Sequence, residues 1–201
     1  MDDVSDQAPP VSIHRPTIDA SPALAYASSI ASRSTTRVKL LQQKLAFLLA
    51  MAAFLRPSDL ARIPFASCSV SDNGCLLLQC FKALRDHPDL QARPVHSNLF
   101  VKSHNIKQPL SASTISTWLH REFISLCTDE PGVSIRSLAS SRALDQGVSL
   151  DNIVALGNWA SSDTFVRHYQ RNQMAQVDFT STVLSSQDEF FDATDSFGTL
   201  D

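Results

Sequence analysis

The 201-residue chain contains two tyrosines. One of them, Tyr169, lies in the stretch LGNWASSDTFVRHYQR (Leu156–Arg171), between a histidine and a glutamine, with Arg167 and Arg171 on either side. A phenol among cations is either a packing residue or a nucleophile beside groups that hold an anion. The chemistry that fits the second reading is phosphoryl transfer. An attacking phenol replaces one oxygen of a phosphodiester, negative charge builds on the phosphorane, and guanidinium groups clamp the non-bridging oxygens. Arginine suits that clamp because it stays charged and bonds bidentately. A His or Trp N–H completes the clamp, and a Lys or His protonates the departing 5′ oxygen.

The chain offers candidates for each part. Arg56, in FLRPSDL, ends a long apolar run; Arg136, in VSIRSLASS, opens a helical one. Asn158 and Trp159, in GNW, come shortly before Tyr169. Spacing alone does not bring these groups together. An arginine next to an apolar helix is more often a surface or ion-paired residue.

The elements that must position them can be read from periodicity. Val38 to Leu55 carries Leu40, Leu41, Leu45, Leu48, Leu49, Ala52 and Leu55 on a broad helical face, which predicts a long buried helix. Pro57 breaks it and starts a short new one in RPSDLARI. In ASCSVSDNGCLLLQC the Asp-Asn-Gly is a turn signal between apolar flanks, which predicts a β-hairpin. FKALRDHPDL is helix-like up to Pro88, and NLFVKS is a short extended segment. SASTISTWLHREFISLC begins with a Ser/Thr-rich cap and reads as an amphipathic helix through Ile115, Trp118, Leu119, Phe123, Ile124 and Leu126. Trp118 is expected in the core. Ser113, Ser116, Thr117, His120 and Arg121 form the polar side, either solvated or facing a DNA groove. SIRSLASSRALDQG is a helix closed by Gly147, SLDNIVALGN one capped by Ser149 and stopped by Gly157, and SSDTFVRHYQRNQ one capped by Ser161 or Ser162. The order is a mainly α, mixed α+β domain with a small hairpin or sheet. Residues 1–35 are expected to be a flexible tail, with a short helix an option from Ser21; 36–186 the domain; and 187–201 an acidic disordered tail.

Composition bounds the rest. The length suits one domain plus tails, and the hydrophobic fraction of 43% is ordinary for a globular protein. A net charge of −3 provides no global pull toward nucleic acid, so any such binding needs a local basic face. Cys68, Cys75, Cys80 and Cys127 lack zinc-ligand spacing and read as buried or free thiols in a reducing compartment. The N-terminus is no signal peptide. The longest apolar run, Leu45–Leu55, is too short to span a bilayer, so no membrane is expected.

FLRPSDLARI resembles the first sequence box of the tyrosine recombinases of the phage-integrase fold, where an arginine ends an apolar helix and an acidic residue follows. IRSLASSRALDQGVSLDNIVALGNWASSDTFVRHY resembles their second box, and NLFVKS with PLSASTISTWLHREF resembles the segment between, particularly in the eukaryotic mobile-element branch (DIRS-like and Crypton-like elements). The resemblance covers about Val38 to Leu184. It implies a recombinase catalytic-domain fold, truncated in its sheet, that cuts and rejoins double-stranded DNA through a 3′-phosphotyrosyl link on Tyr169. Arg56 and Arg136 would clamp the phosphate, Trp159 would be the further donor with Asn158 beside it, and Asp59 would orient Arg56. Neither metal nor cofactor is implied, and the location would be nuclear.

Departures from the pattern are specific. Where the family has a histidine before its second arginine, this chain has Val133. The family's catalytic lysine lies in a β-hairpin, and Lys82 is the nearby candidate. If the strand continues to Lys82, it is the general acid; if FKALRDHPDL is the following helix, the lysine-bearing strand is lost. The residues ahead of the first core helix are expected to be too few for the family's separate DNA-clamping domain. Lys102, Lys107 and Arg121 are candidate DNA contacts, with His104 in the same loop as the lysines. MAQVDFTSTVL, after the tyrosine, is either a surface helix or a docking segment for a homo-oligomer. The alternatives to an active recombinase are a decayed, DNA-binding descendant and a helical protein-interaction module.

Overall fold

The computed structural model describes residues 17–68 and 76–171. Eight helices and one small sheet occur among them: α1 (Ser21–Ser29), α2 (Val38–Ala53), α3 (Pro57–Arg62), α4 (Leu76–Arg85), β1 (Val101–Lys102), β2 (Asn105–Pro109), α5 (Ala112–Glu122), α6 (Ile135–Asp145), α7 (Leu150–Gly157) and α8 (Ser162–His168). The class is mainly α with a two-stranded antiparallel sheet.

Helix α2 is the hub. It touches α1, α3, α4, α5 and α6. A helix packed on so many sides buries more than a stripe, and Leu41, Leu45, Ala46, Phe47 and Ala50 are all fully enclosed. Ala52, expected inward, is exposed, while Ala46, Phe47 and Ala50 face the core instead. Phe47 stacks on Phe123 beyond the end of α5, with ring centroids 4.3 Å apart. Enclosure also takes in Gln42, Gln43 and Lys44; the Lys44 ammonium and the Gln42 oxygen are matched, while the amide nitrogens of both glutamines have no partner among the described residues. Lys44 Nζ donates to the Ile30 carbonyl at 2.7 Å, and Gln42 Oε1 accepts from the Val101 N–H at 2.8 Å. The first bond closes the end of α1 and the second fastens the sheet to the hub. Burial holds the Lys44 ammonium below its ordinary pKa.

Two expectations are corrected here. The segment 17–35 is not a loose tail: Ala20, Ala23 and Ala27 are buried in the core and α1 packs on α2. Nor do the described residues of Ala66–Cys80 form the strands of a hairpin. Phe65–Ser67 is a single 3₁₀ turn, and the chain is helical from Leu76 onward. Leu78, Phe81 and Leu84 recur at helical spacing and turn toward α2, where Cys80 Sγ approaches the Leu41 carbonyl at 3.5 Å. The Asp-Asn-Gly turn and Cys75 lie outside the described residues. The hairpin instead falls later: Lys102 pairs with Asn105 and Val101 with Pro109, joining the expected extended segment to the run behind it.

The helix ends follow local chemistry. Ser111, Ser134, Ser149 and Ser161 each accept a backbone N–H three residues on, at 3.2, 3.0, 3.4 and 3.2 Å. Gly147, at φ 85°, closes α6 with paired bonds from Gly147 N to Leu144 O and Val148 N to Ala143 O. The same motif closes α7, but its left-handed residue is Asn158, at φ 49°, and not Gly157, which is the last residue of the helix. Asparagine tolerates that conformation through its short polar side chain.

A second, smaller core binds α6, α7 and α8 to the end of α2. It consists of Phe54, Ala139, Ile153, Trp159 and Phe165, with Tyr169 packed at its edge. Trp159 is the hub of this cluster, with ring centroids 6.0 Å from Phe54, 5.1 Å from Phe165 and 5.0 Å from Tyr169. No helix among the described residues is long and apolar enough to cross a membrane.

Candidate functional site

A cleft of about 630 Å³ opens between α3, α5 and the start of α6. Arg56, Arg136 and Tyr169, far apart in sequence, all line it. Its walls add Ser58, Ser113, Ser116, His120 and Ser134, with Leu119, Ile124 and Val133 as the apolar part. No carboxylate is among the described residues that line it. A smaller hollow of about 230 Å³ also has Arg56 and Arg136 in its wall, with Asp59, Gly157 and Asn158.

Each cation is placed by its own local device. Arg56 precedes α3 in extended conformation and is exposed. Asp59 Oδ2 accepts the Arg56 backbone N–H at 2.9 Å, while Oδ1 takes the Arg62 guanidinium at 3.0 Å. Asp59 therefore holds the backbone of Arg56, and its side-chain ion pair is with Arg62. Burial alone would raise the Asp59 pKa, but the bonds from Arg56 and Arg62 outweigh it, so the carboxyl stays below its ordinary value.

Arg136 stands in the first turn of α6 and is only 6% exposed. Its Nη2 donates to the Gly157 carbonyl. Its guanidinium carbon lies 4.2 Å from the Trp159 ring centroid and 5.3 Å from that of Tyr169, so both aromatic faces carry the cation. Burial and then Arg56 push its pKa down, with Tyr169 and Asp59 opposing. The two guanidiniums thus feel each other, and an anion between them would relieve both. Arg136 Nε and Trp159 Nε1 are buried with no acceptor among the described residues. A buried donor without a partner costs roughly 1–3 kcal/mol; Arg136 lines the cleft, whereas Trp159 is not among its lining residues.

Tyr169 is fastened through its backbone. Its carbonyl accepts from Ser137 Oγ at 2.8 Å and from Ser141 Oγ at 3.1 Å, both on α6. Ser141 Oγ also accepts the Arg171 N–H at 3.1 Å, and the Arg171 guanidinium pairs with Glu130. Arg171 is only 3% exposed, so this ion pair locks the chain directly after the tyrosine. Sequence reasoning missed Ser137, Ser141, Glu130 and Arg171 as supports. The serines of SLASS sit four apart on one helix face, which was the available signal.

The remaining candidates divide. Trp159 joins Arg136 and Tyr169, whereas Asn158 is exposed and serves as the left-handed end of α7 beside the smaller hollow. Lys82 is on helix α4, the alternative in which the lysine-bearing strand is lost, and does not line the cleft. Val133 is in the cleft wall. On α5 the polar side splits: Ser113, Ser116 and His120 face the cleft, while Thr117 and Arg121 do not line it. Lys102 Nζ donates to Gln108 Oε1 at 2.9 Å and shares a separate hollow with Lys39, His104 and Trp118. Lys107 is exposed on β2 and lines neither. Trp118 is half-buried against the main core. The docking segment MAQVDFTSTVL and the acidic tail lie outside the described residues.

Cys68, Cys80 and Cys127 are free thiols, and burial pushes the Cys80 pKa up to about 11. Among the described residues no group of three or more His, Cys, Asp or Glu side chains is placed to hold a metal ion. The chain matches no protein-family model and no curated protein.

Proposed function

We propose that the chain is a tyrosine recombinase-type catalytic domain, of mobile-element origin, that cleaves and rejoins DNA through Tyr169 and acts in the nucleus. The observation that carries this reading is the packing of the Arg136 guanidinium against both Trp159 and Tyr169, which also touch each other. Among the described residues Arg136 Nε and Trp159 Nε1 are buried and unmatched, and Arg136 lines a cleft with Arg56 and Tyr169 whose described lining has no carboxylate. That is the donor set a phosphodiester oxygen would satisfy.

In this reading Arg56 and Arg136 hold the non-bridging oxygens of the scissile phosphate. The Tyr169 phenol attacks phosphorus, a 3′-phosphotyrosyl ester forms, and a 5′-hydroxyl departs. The ester keeps the energy of the broken bond, so the returning 5′-hydroxyl rejoins the strand in a reverse step of the same chemistry. The fastening of the Tyr169 carbonyl to α6, and of Arg171 behind it to Glu130, limits the motion of the nucleophile relative to the arginines, which is the positioning part of catalysis.

The test is covalent trapping on nicked suicide duplexes made from the DNA that flanks the chain's own coding sequence. A protease-sensitive shifted band on a denaturing gel, lost in Tyr169→Phe, is the expected result. A second reading, a decayed descendant that only binds DNA, is favoured by Val133 in the cleft wall and Lys82 on α4. It predicts salt-sensitive DNA binding with no band. Absence of both band and binding would leave a protein-interaction module.

A further inference from the structure

We propose that His120 is the proton donor to the departing 5′ oxygen in this cleft. The inference rests on the strand-transfer reading above and names the group that reading lacks. An alkoxide is a poor leaving group, and a positioned acid contributes roughly 10²–10⁴-fold to such a step. Neither residue expected to supply the proton is available: Val133 has none to give, and Lys82 is on a helix that does not reach the cleft wall.

The described lining of the cleft holds four groups with ionisable protons: Arg56, Arg136, Tyr169 and His120. A guanidinium does not surrender its proton in a protein. Tyr169 is the attacking group. His120 remains, and imidazole is the side chain suited to giving and taking a proton near neutral pH. Its location fits the task. It is exposed on the last turn of α5, on the same helix face as Ser113 and Ser116, and all three line the wall of the cleft that Arg56 and Arg136 also line. Leu119, its neighbour, is buried and anchors that turn to the core, so the histidine is carried by a fixed element.

The step balances as follows. The Tyr169 oxygen forms a bond to phosphorus, its own proton passing to water, and the bond from phosphorus to the 5′ oxygen breaks. The imidazolium of His120 gives its proton to that oxygen, leaving a 5′-hydroxyl and a neutral imidazole. On rejoining, the neutral imidazole takes the proton back from the attacking 5′-hydroxyl, whose oxygen bonds to phosphorus as the bond to the Tyr169 oxygen breaks, and the departing phenolate takes a proton from water.

Two suicide duplexes that differ only in the bridging 5′ atom, oxygen in one and sulfur in the other, test this with the full chain. A thiolate departs without a proton, so the sulfur substrate bypasses the acid. His120→Ala and His120→Gln are each expected to form adduct roughly 10²–10⁴-fold more slowly than the unaltered chain on oxygen. On sulfur, both should return to within a few-fold of it. A positioning or structural role would not be rescued by sulfur. Equal rates on oxygen, or a loss on both substrates in both variants while DNA binding is kept, would overturn the role of His120 and leave strand transfer standing. No adduct from the unaltered chain on either substrate would overturn strand transfer itself, and the inference with it.

Discussion

The guanidinium carbon of Arg136 lies 4.2 Å from the centre of the Trp159 ring, and the same arginine donates to the carbonyl of Gly157, two residues before that tryptophan. One side chain thereby ties the first turn of α6 to the turn that leaves α7. The indole it rests on also touches Phe54, Phe165 and Tyr169, so the cation is placed by the packing of the second core.

Trp159 has two separable roles. Its ring fills the second core, so Trp159→Ala should cost about 3–5 kcal/mol and lower the melting temperature clearly. Trp159→Phe keeps an aromatic body and removes only the indole N–H. It should melt much closer to the unaltered chain and, on the proposed function, bind DNA more weakly. Equal DNA affinity in the phenylalanine variant would remove the indole from the anion-binding set.

Gly157 is required by the tryptophan. A Cβ built there would run into the Trp159 ring. Gly157→Ala should therefore destabilise by roughly 1–3 kcal/mol and shift the tryptophan emission. Gly147→Ala meets no neighbouring atom and should cost only the strain of its φ of 85°, leaving the emission unchanged. Parallel fluorescence and thermal melts of the two variants compare them.

The backbone of Tyr169 is held redundantly. Either Ser137→Ala or Ser141→Ala leaves its carbonyl one hydroxyl partner, so each should cost about 0.5–1.5 kcal/mol. The double variant leaves that carbonyl without a side-chain partner and should cost more than the sum. Urea unfolding of the four proteins gives the coupling, and strict additivity would mean that the two bonds act independently.

Arg56 is exposed and lines the cleft, so Arg56→Ala should melt like the unaltered chain. If it holds a phosphate, the slope of log K against log salt should fall by about 1 in the variant. An unchanged slope would take Arg56 out of any phosphate contact.

Asp59 links acid stability to the start of α3. Its pKa in the folded chain is below the ordinary value, so the unfolded chain binds its proton more readily. The stabilisation is complete above the unfolded value, about 3.9, and is lost as the pH falls through the lower folded one. Asp59→Asn should be less stable near neutrality and show a shallower loss of helical signal between about pH 5 and pH 2. Superimposable acid titrations of the two proteins would show that the Arg56 and Arg62 contacts add nothing.

Local chemistry was legible wherever a few neighbouring residues decide the outcome. The serine caps of α5, α7 and α8 and Gly147 behind α6 stand as expected, because a hydroxyl reaches the third N–H on and glycine accepts positive φ whatever the rest of the chain does. The run Leu76–Cys80 was misread as a strand because a short apolar stretch has no period of its own; the flank of α2 decides that it is a helix. The extent of α1 was missed for a related reason. Its small residues carry little signal alone, yet Ala23 and Ala27 allow close approach and are fully buried.

The sequence by itself determined the class, most helix ends, and the residue types able to hold an anion and attack it. Tertiary structure decided which of them meet. Arg56, Arg136 and Tyr169 share a cleft because α2 buries its sides against α3, α5 and α6, and because Trp159 fills the space between α6, α7 and α8. Lys82 stays outside because its helix spends its apolar face on α2, and His120 enters because Leu119 anchors its turn. Such meetings depend on burial between segments far apart in the chain, and no local spacing encodes them.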